Sequence, residues 1–360
     1  MGQQYQDELI YSLELKANNL IKELPNFAKT YFDYLLDRNS SERTRVQYAY
    51  DLKYFFEWLQ NQSGFKGEKI KPLPPSDVLD RLTKEDLQEY VASLRHVSYK
   101  DKYGKEHIKK ASDSTIARKI CSLRSFYRYF YTTGDIKKDT ASLLAVPDIK
   151  IKEVAILERN DVQRLLEEVE LDANDKQGLS RQKKDALNRT KKRDLAIYML
   201  FFGTGMRVSE LVGIDLEDLD LKNCSVILTR KGGNQDTTYF SKEVRDALSD
   251  YIENERVDLL SNNDSTALFI SLKHSRISQR SVERMIKNYG SSAGMNKKVT
   301  PHTTRRTYGT TLYRETRDVF LVADALHHVS TETAKKYIKM DIKNKQKAAQ
   351  TAAGLFKKDE

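Results

Sequence analysis

Apolar residues recur at helical spacing along almost the whole of this 360-residue chain, and one stretch departs from that rule. Ser225–Thr229 is β-branched and apolar, Gly232-Gly233-Asn234 is a turn signal, and Thr237–Phe240 has the character of a returning strand. This pattern predicts a β-hairpin with Lys231 at its bend. A chain so patterned folds as helices packed on helices, with a small sheet set into one part of it. Ala267–Ser271 is expected to add a further short strand, and the length suffices for two domains with separate cores.

The first portion reads as all-helical. Leu9, Ile10, Leu13, Leu15, Leu20 and Ile21 mark a first helix over Asp7–Glu23, and a second covers Asn26–Asp37 after Pro25. Ser40 or Ser41 caps a third, which turns Phe55, Phe56 and Leu59 inward and presents Arg43, Arg45, Gln47 and Lys53 on its other face. A fourth begins near Thr83. Ser98–Ser112 is polar and lysine-rich without apolar period, and reads as a loop. Asp113 or Ser114 caps a helix that ends at Gly134, with Ile120, Phe126 and Phe130 inward and Arg118, Lys119, Arg124 and Arg128 outward. Trp58, Phe126 and Phe130 read as core. Pro147 marks an extended linker, so the expected domains are 1–145, a linker at 146–156, 157–340, and a tail at 341–360. In the second domain a strongly apolar helix over Leu195–Phe202 is expected to stop at Gly203 and Gly205.

Composition narrows the partner. Sixty-two Lys and Arg against 52 Asp and Glu give a net charge of +10, which suits a folded protein with a polyanionic partner such as DNA. Cys121 and Cys224 have no metal-binding spacing, and no apolar run reaches the roughly 18 residues of a membrane span. A reducing, cytoplasmic setting is expected, with no metal and no membrane.

The chemistry-bearing residues gather in Thr300–Met340. His302, Arg305 and Arg306 stand near its start, His327 and His328 in its middle and Tyr337 near its end. Paired guanidinium groups suit the extra negative charge of a phosphoryl transition state, a histidine can relay protons, a lysine can protonate a departing 5′-hydroxyl, and a phenol can attack phosphorus. Upstream, Gly205-Met206-Arg207-Val208-Ser209-Glu210-Leu211 places Arg207 after a glycine turn, with Glu210 on the same helical face. Residue type alone does not choose among 20 tyrosines, of which Tyr308 and Tyr313 lie nearer His302.

Taken together, TGMRVSEL, TRKGG, PHTTRRT and LHHVSTETAKKYI resemble the tyrosine recombinase (phage integrase) family, in particular the Xer branch of the Firmicute single-recombinase type. The resemblance implies catalytic roles for Arg207, Lys231, His302, Arg305, His328 and Tyr337, with Tyr337 the nucleophile and Lys231 the general acid. Glu210 and His327 would stand behind them, and Arg43, Arg45, Lys53, Arg118, Lys119, Arg124, Arg128 and Arg306 would meet DNA. Three positions depart from the family pattern: Thr304 for the usual Leu, Arg306 for a frequent His, and His327 for Gly. The implied fold is mostly α: an all-helical, SAM-like core-binding domain and a mixed α+β catalytic domain with a small antiparallel sheet, closing on DNA as a C-shaped clamp.

The implied reaction is site-specific strand exchange through a 3′-phosphotyrosine and a Holliday junction, with neither metal nor ATP. Its partners would be double-stranded DNA with inverted half-sites, a homodimer on each site, a homotetramer in the synapse, and a septal DNA translocase. The helix at 341–360 would exchange between protomers or cap its own domain. Chromosome-dimer resolution and integration of a mobile element both fit, although Met1–Leu24 reads as a helix and leaves no expected arm-binding domain. A type IB topoisomerase and an inactive DNA-binding protein are the remoter alternatives.

Overall fold

A computed structural model describes residues 2–101, 104–149, 155–230, 234–261 and 263–327. Within them the chain forms two compact units, Asp7–Lys152 and the remainder from Glu153, with which the first six residues also cluster. Both are built mainly of helices.

The first unit contains α1 (Gly2–Ile21), α2 (Ala28–Asp37), α3 (Glu42–Gln60), α4 (Pro75–Leu79), α5 (Lys84–Ser93), strands β1 (His96–Lys100) and β2 (Glu106–Lys110), and α6 (Asp113–Thr133). Ser41 caps α3 by accepting from the Thr44 N–H, and Thr83 and Asp86 cap α5 reciprocally. Ser112, one residue before the expected position, caps α6, which ends on Gly134 at φ 82°. The core is aromatic. Tyr31 meets Phe126 edge to face at 5.1 Å, Phe27 meets Phe130 at 5.3 Å, and Trp58 lies half-buried against Phe55. Each such ring contributes about 1.5–3 kcal/mol by burial.

The expected loop at Ser98–Ser112 is instead an antiparallel hairpin, β1 paired with β2 from His96↔Lys110 to Lys100↔Glu106. The first unit is therefore not purely helical. Its turn is closed by Gly104 N–H donating to Asp101 O, with Gly104 at φ 81°.

The second unit contains α7 (Arg159–Glu170), α8 (Arg181–Asn188), α9 (Lys191–Thr204), α10 (Val208–Gly213), strands β3 (Leu219–Asp220), β4 (Ser225–Thr229) and β5 (Gln235–Tyr239), α11 (Lys242–Tyr251), a π-helical turn at Ile252–Arg256, α12 (Val257–Leu260), α13 (Gln279–Ser292), α14 (Pro301–Thr316) and α15 (Val319–Ala325). The expected hairpin is β4–β5, in register from Ser225↔Tyr239 to Thr229↔Gln235, and β3 joins it to make an antiparallel sheet of order β3-β4-β5.

Helix α9 is the centre of this unit, packed by α7, α11 and α14. Ala196, Ile197, Tyr198, Leu200 and Phe201 are all fully buried, so the helix is apolar around its circumference, as a central helix must be. At its start Glu255 accepts from the N–H groups of Lys192 and Arg193, each at 2.9 Å. At its end it runs past Gly203 and stops on Gly205 at φ 64°. Gly203 lies within the helix, where the lack of a side chain makes room for α11: a Cβ would come 2.8 Å from Val244.

Ala267–Ser271 makes isolated bridges, Asp215↔Ala267 and Ile270↔Arg276, and is no strand. Its apolar run lines the core, and side chains supplement its backbone bonds to Ile214, Ser275 and Ile277. Arg256 donates to Ala267 O and Leu268 O, and Tyr251 donates to Leu268 O while accepting from Ile270 N–H.

Candidate active site

Helix α9 delivers Arg207 through the Gly205 turn. Arg207 is the residue before α10, in extended conformation, with its side chain partly exposed. Glu210, in the first turn of α10, accepts from the Arg207 N–H at 2.7 Å through Oε2 and from Arg207 Nη1 at 2.8 Å through Oε1. Its Oε2 also faces Arg230 Nη1 at 2.9 Å. Burial pushes the Glu210 carboxyl up, but the backbone N–H and the two arginines outweigh it and hold it below the ordinary glutamate value. It is ionised near neutrality, and it fixes the orientation of Arg207.

Arg305 stands one turn into α14, which starts at the Thr300 cap with Pro301 in its first turn. It is 5% exposed. Nη1 donates to Gly205 O at 2.7 Å and Nη2 donates to Leu326 O, the residue that closes α15. One guanidinium thereby ties the glycine turn before Arg207 to the end of α15. Gly205 is needed there: a Cβ would lie 2.5 Å from the Tyr308 ring and 2.9 Å from Leu326.

His302 lies in the first turn of α14, exposed, with its pKa below the ordinary histidine value. Partial desolvation is the first cause, followed by the charges of Arg306, Arg305 and Arg207, three cations that stand about the ring. It is a neutral imidazole at pH 7 and can accept a proton.

His327 follows α15 with φ 47°, and its Nδ1 is 2.5 Å from Asp236 Oδ2 on β5. Burial and Arg230 hold its pKa down against the pull of Asp236, Asp324 and Glu210. Of the sequence-predicted residues, the structure thus brings Arg207, Glu210, His302, Arg305, Arg306 and His327 together on α10, α14 and the end of α15. Lys231, His328, Tyr337 and the tail at 341–360 lie outside the described residues. Arg230 and Asp236 join the group without being foreseen from sequence, because their place depends on strand register across the hairpin.

Several basic residues of the first unit have partners within it. Arg45, expected on the outer face of α3, is buried and paired with Glu14. Arg118 and Lys119 turn onto Asp51, a carboxylate 3% exposed, with Lys119 Nζ at 3.4 Å and also over the Tyr54 ring. Arg124 donates to the carbonyls of Ser142 and Leu144, and Lys53 pairs with Glu23. A buried carboxylate requires its cations, which overrides the simple inside–outside pattern. Arg43 is exposed, and Arg128 is exposed with Asp139 at 3.8 Å. Among the described residues no group of three or more His, Cys, Asp or Glu is placed to hold a metal ion, and no helix is long and apolar enough to cross a membrane.

Residues 156–344 match the profile of the Phage integrase family, and residues 28–134 match Phage integrase, N-terminal SAM-like domain. Tyrosine recombinase XerC of Thermodesulfovibrio yellowstonii is 30% identical over 328 residues, which span 90% of this chain and 95% of that protein. Tyrosine recombinase XerS of Streptococcus pneumoniae is 29% identical over 344 residues, 89% of this chain and 94% of that protein. Among solved structures, XerH site-specific recombinase bound to palindromic difH substrate, in a post-cleavage complex, aligns with a TM-score of 0.64 and 19% identity, covering 94% of this chain and 92% of that chain, a likeness of fold.

Proposed function

We propose, for a chain that belongs to the phage integrase family and is a tyrosine recombinase, an enzyme that cleaves and rejoins DNA, the task of Xer-type resolution of chromosome dimers at a single site. What carries this reading is similarity along nearly the full length of two Xer recombinases, at 30% and 29% identity. Its substrate is double-stranded DNA with inverted half-sites, bound by a homodimer and synapsed as a homotetramer. It acts in the cytoplasm, with a septal DNA translocase as a partner.

The chemistry follows from the residue types. The Tyr337 oxygen bonds to the scissile phosphorus, the bond from phosphorus to the 5′-oxygen breaks, and Lys231 protonates that oxygen as it leaves. His302, held neutral, takes the phenol proton, and His328 donates to the phosphate. Arg207 and Arg305 donate to the non-bridging oxygens, where negative charge grows. The phosphotyrosine keeps the energy of the broken ester, so attack by a partner strand's 5′-hydroxyl reseals DNA without ATP, and the arginines supply the charge that a metal would otherwise bring. Arg43, Lys53, Arg128 and Arg306 contribute phosphate contacts that position the duplex.

The test is to trap and sequence DNA covalently bound to the protein in its host, with Tyr337→Phe as control. Adducts at one chromosomal site near the replication terminus, absent from the control, are expected. Adducts at the ends of a mobile element would make the protein an integrase, and scattered adducts a topoisomerase. Unchanged adducts in the control would remove Tyr337 from its role.

A further inference from the structure

His327 stands where the resembling family usually has Gly, and its backbone shows why that position favours glycine. At φ 47° it occupies the left-handed region, which a side chain enters at a cost. This chain accepts that cost and uses the side chain. His327 Nδ1 reaches Asp236 Oδ2 at 2.5 Å, while the His327 N–H donates to Asp324 O at 2.7 Å. Asp236 pairs with Leu228 in the β4–β5 hairpin. His327 itself immediately precedes His328, and Leu326 on its other side is held by Arg305.

The link continues inward. Asp236 Oδ2 lies 3.8 Å from Arg230 Nη2, Arg230 Nη1 lies 2.9 Å from Glu210 Oε2, and Glu210 Oε1 accepts from Arg207 Nη1 at 2.8 Å. A line of alternating charge therefore runs from the residue before His328, across the hairpin, to the catalytic arginine. The groups facing His327 are Arg230 and Asp236 from the hairpin, Asp324 from α15 and Glu210 from α10. As a neutral imidazole it donates from Nδ1 to Asp236, a bond that holds one ring orientation.

We propose that His327 is a positioning residue: a clasp that fastens β5 of the hairpin to the end of α15 and, through Asp236, Arg230 and Glu210, holds Arg207 in place for the scissile phosphate. It rests on the role given above to Arg207. A glycine at this place would relieve the backbone and release the hairpin. The clasp thus trades local backbone comfort for placement of the hairpin and, through it, of Arg207.

The experiment uses the full chain and a nicked duplex of the site recovered from the covalent adducts, which traps the cleaved complex, with single-turnover cleavage and DNA binding measured separately. His327→Gly is expected to fold at least as stably as wild type and to bind DNA equally, yet to cleave about tenfold more slowly. His327→Asn, which tolerates the same φ and keeps a donor for Asp236, is expected to recover most of that rate. Asp236→Ala should slow cleavage to the same degree, and the double variant His327→Gly with Asp236→Ala should be no slower than either single. Wild-type cleavage by His327→Gly, no recovery by His327→Asn, or multiplicative slowing in the double variant would each overturn the clasp. Failure of the wild type itself to cleave would instead overturn the catalytic assignment on which the clasp rests.

Discussion

Arg207 and Arg305 carry the same guanidinium and do different mechanical work. Arg207 is partly exposed and oriented from outside by Glu210, whereas Arg305 is buried and bonded to two backbone carbonyls. Arg207→Ala should abolish cleavage while leaving the melting temperature near wild type, since Glu210 keeps Arg230. Arg305→Ala should abolish cleavage and also destabilise the second unit, because removing each charge-assisted bond costs about 1.5–3 kcal/mol. A thermal melt by circular dichroism separates the two; equal melts would contradict the anchoring role. His302 gives a pH prediction. Its pKa is depressed by partial desolvation and by Arg306, Arg305 and Arg207, so the acid limb of the cleavage profile should fall below the ordinary histidine value of about 6.5. Arg306→Gln removes one of those cations and should move that limb to higher pH; a limb that stays put would separate His302 from proton transfer. With its folded pKa below the unfolded one, His302 adds stability above the unfolded value, and this is lost as pH falls through the folded one. Glu210 is legible in the sequence from its three-residue spacing to Arg207. The Arg230–Asp236–His327 line is not, since it joins three elements that only the folded chain brings together.

At the scale of elements, two helix ends allow a controlled comparison. Gly134 ends α6 at φ 82° with nothing within 4 Å of an added Cβ, and Gly205 ends α9 at φ 64° with the Tyr308 ring 2.5 Å away. Gly134→Ala should cost only the left-handed penalty, about 1–2 kcal/mol. Gly205→Ala should cost clearly more and should slow cleavage as well, because Arg207 hangs from that turn. Equal losses of stability would show that Tyr308 and Leu326 yield freely. Gly205 is readable in sequence as a stop, as is the β4–β5 hairpin with its glycine turn. Gly203 misleads because a close helix crossing and a helix end call for the same residue. The β1–β2 hairpin reads as a loop because Ser98–Ser112 is dominated by lysines and other polar residues, and Ile108 of β2 is 74% exposed. Asp101 and Gly104, flanking its turn, are the available signal.

For the whole molecule, the charge of +10 overstates how many cations are spent on a polyanion. Arg45, Arg118, Lys119 and Arg124 are engaged inside the first unit, and burial lowers the Lys119 pKa even with Asp51 beside it. Substitutions in that unit should therefore fall into two kinds, and the protein carries a reporter for telling them apart. Trp58 is the single tryptophan and packs against Phe55 in the first unit, so its fluorescence follows the melting of that unit. Arg118→Ala removes a charged partner from the buried Asp51 and should lower the Trp58 transition by about 1.5–3 kcal/mol of stability. Its effect on the salt dependence of DNA binding, measured below the transition, should be small. Arg43→Ala, at an exposed position, should leave the transition within about 0.5 kcal/mol. On the proposed reading it should reduce the slope of log affinity against log salt by about 0.9, the signature of one phosphate left without its cation. The reverse result, a full loss of slope in Arg118→Ala with an unchanged Trp58 transition, would return Arg118 to the DNA and leave Asp51 to Lys119 and to Gln47, whose Nε2 donates to Asp51 Oδ1 at 3.4 Å.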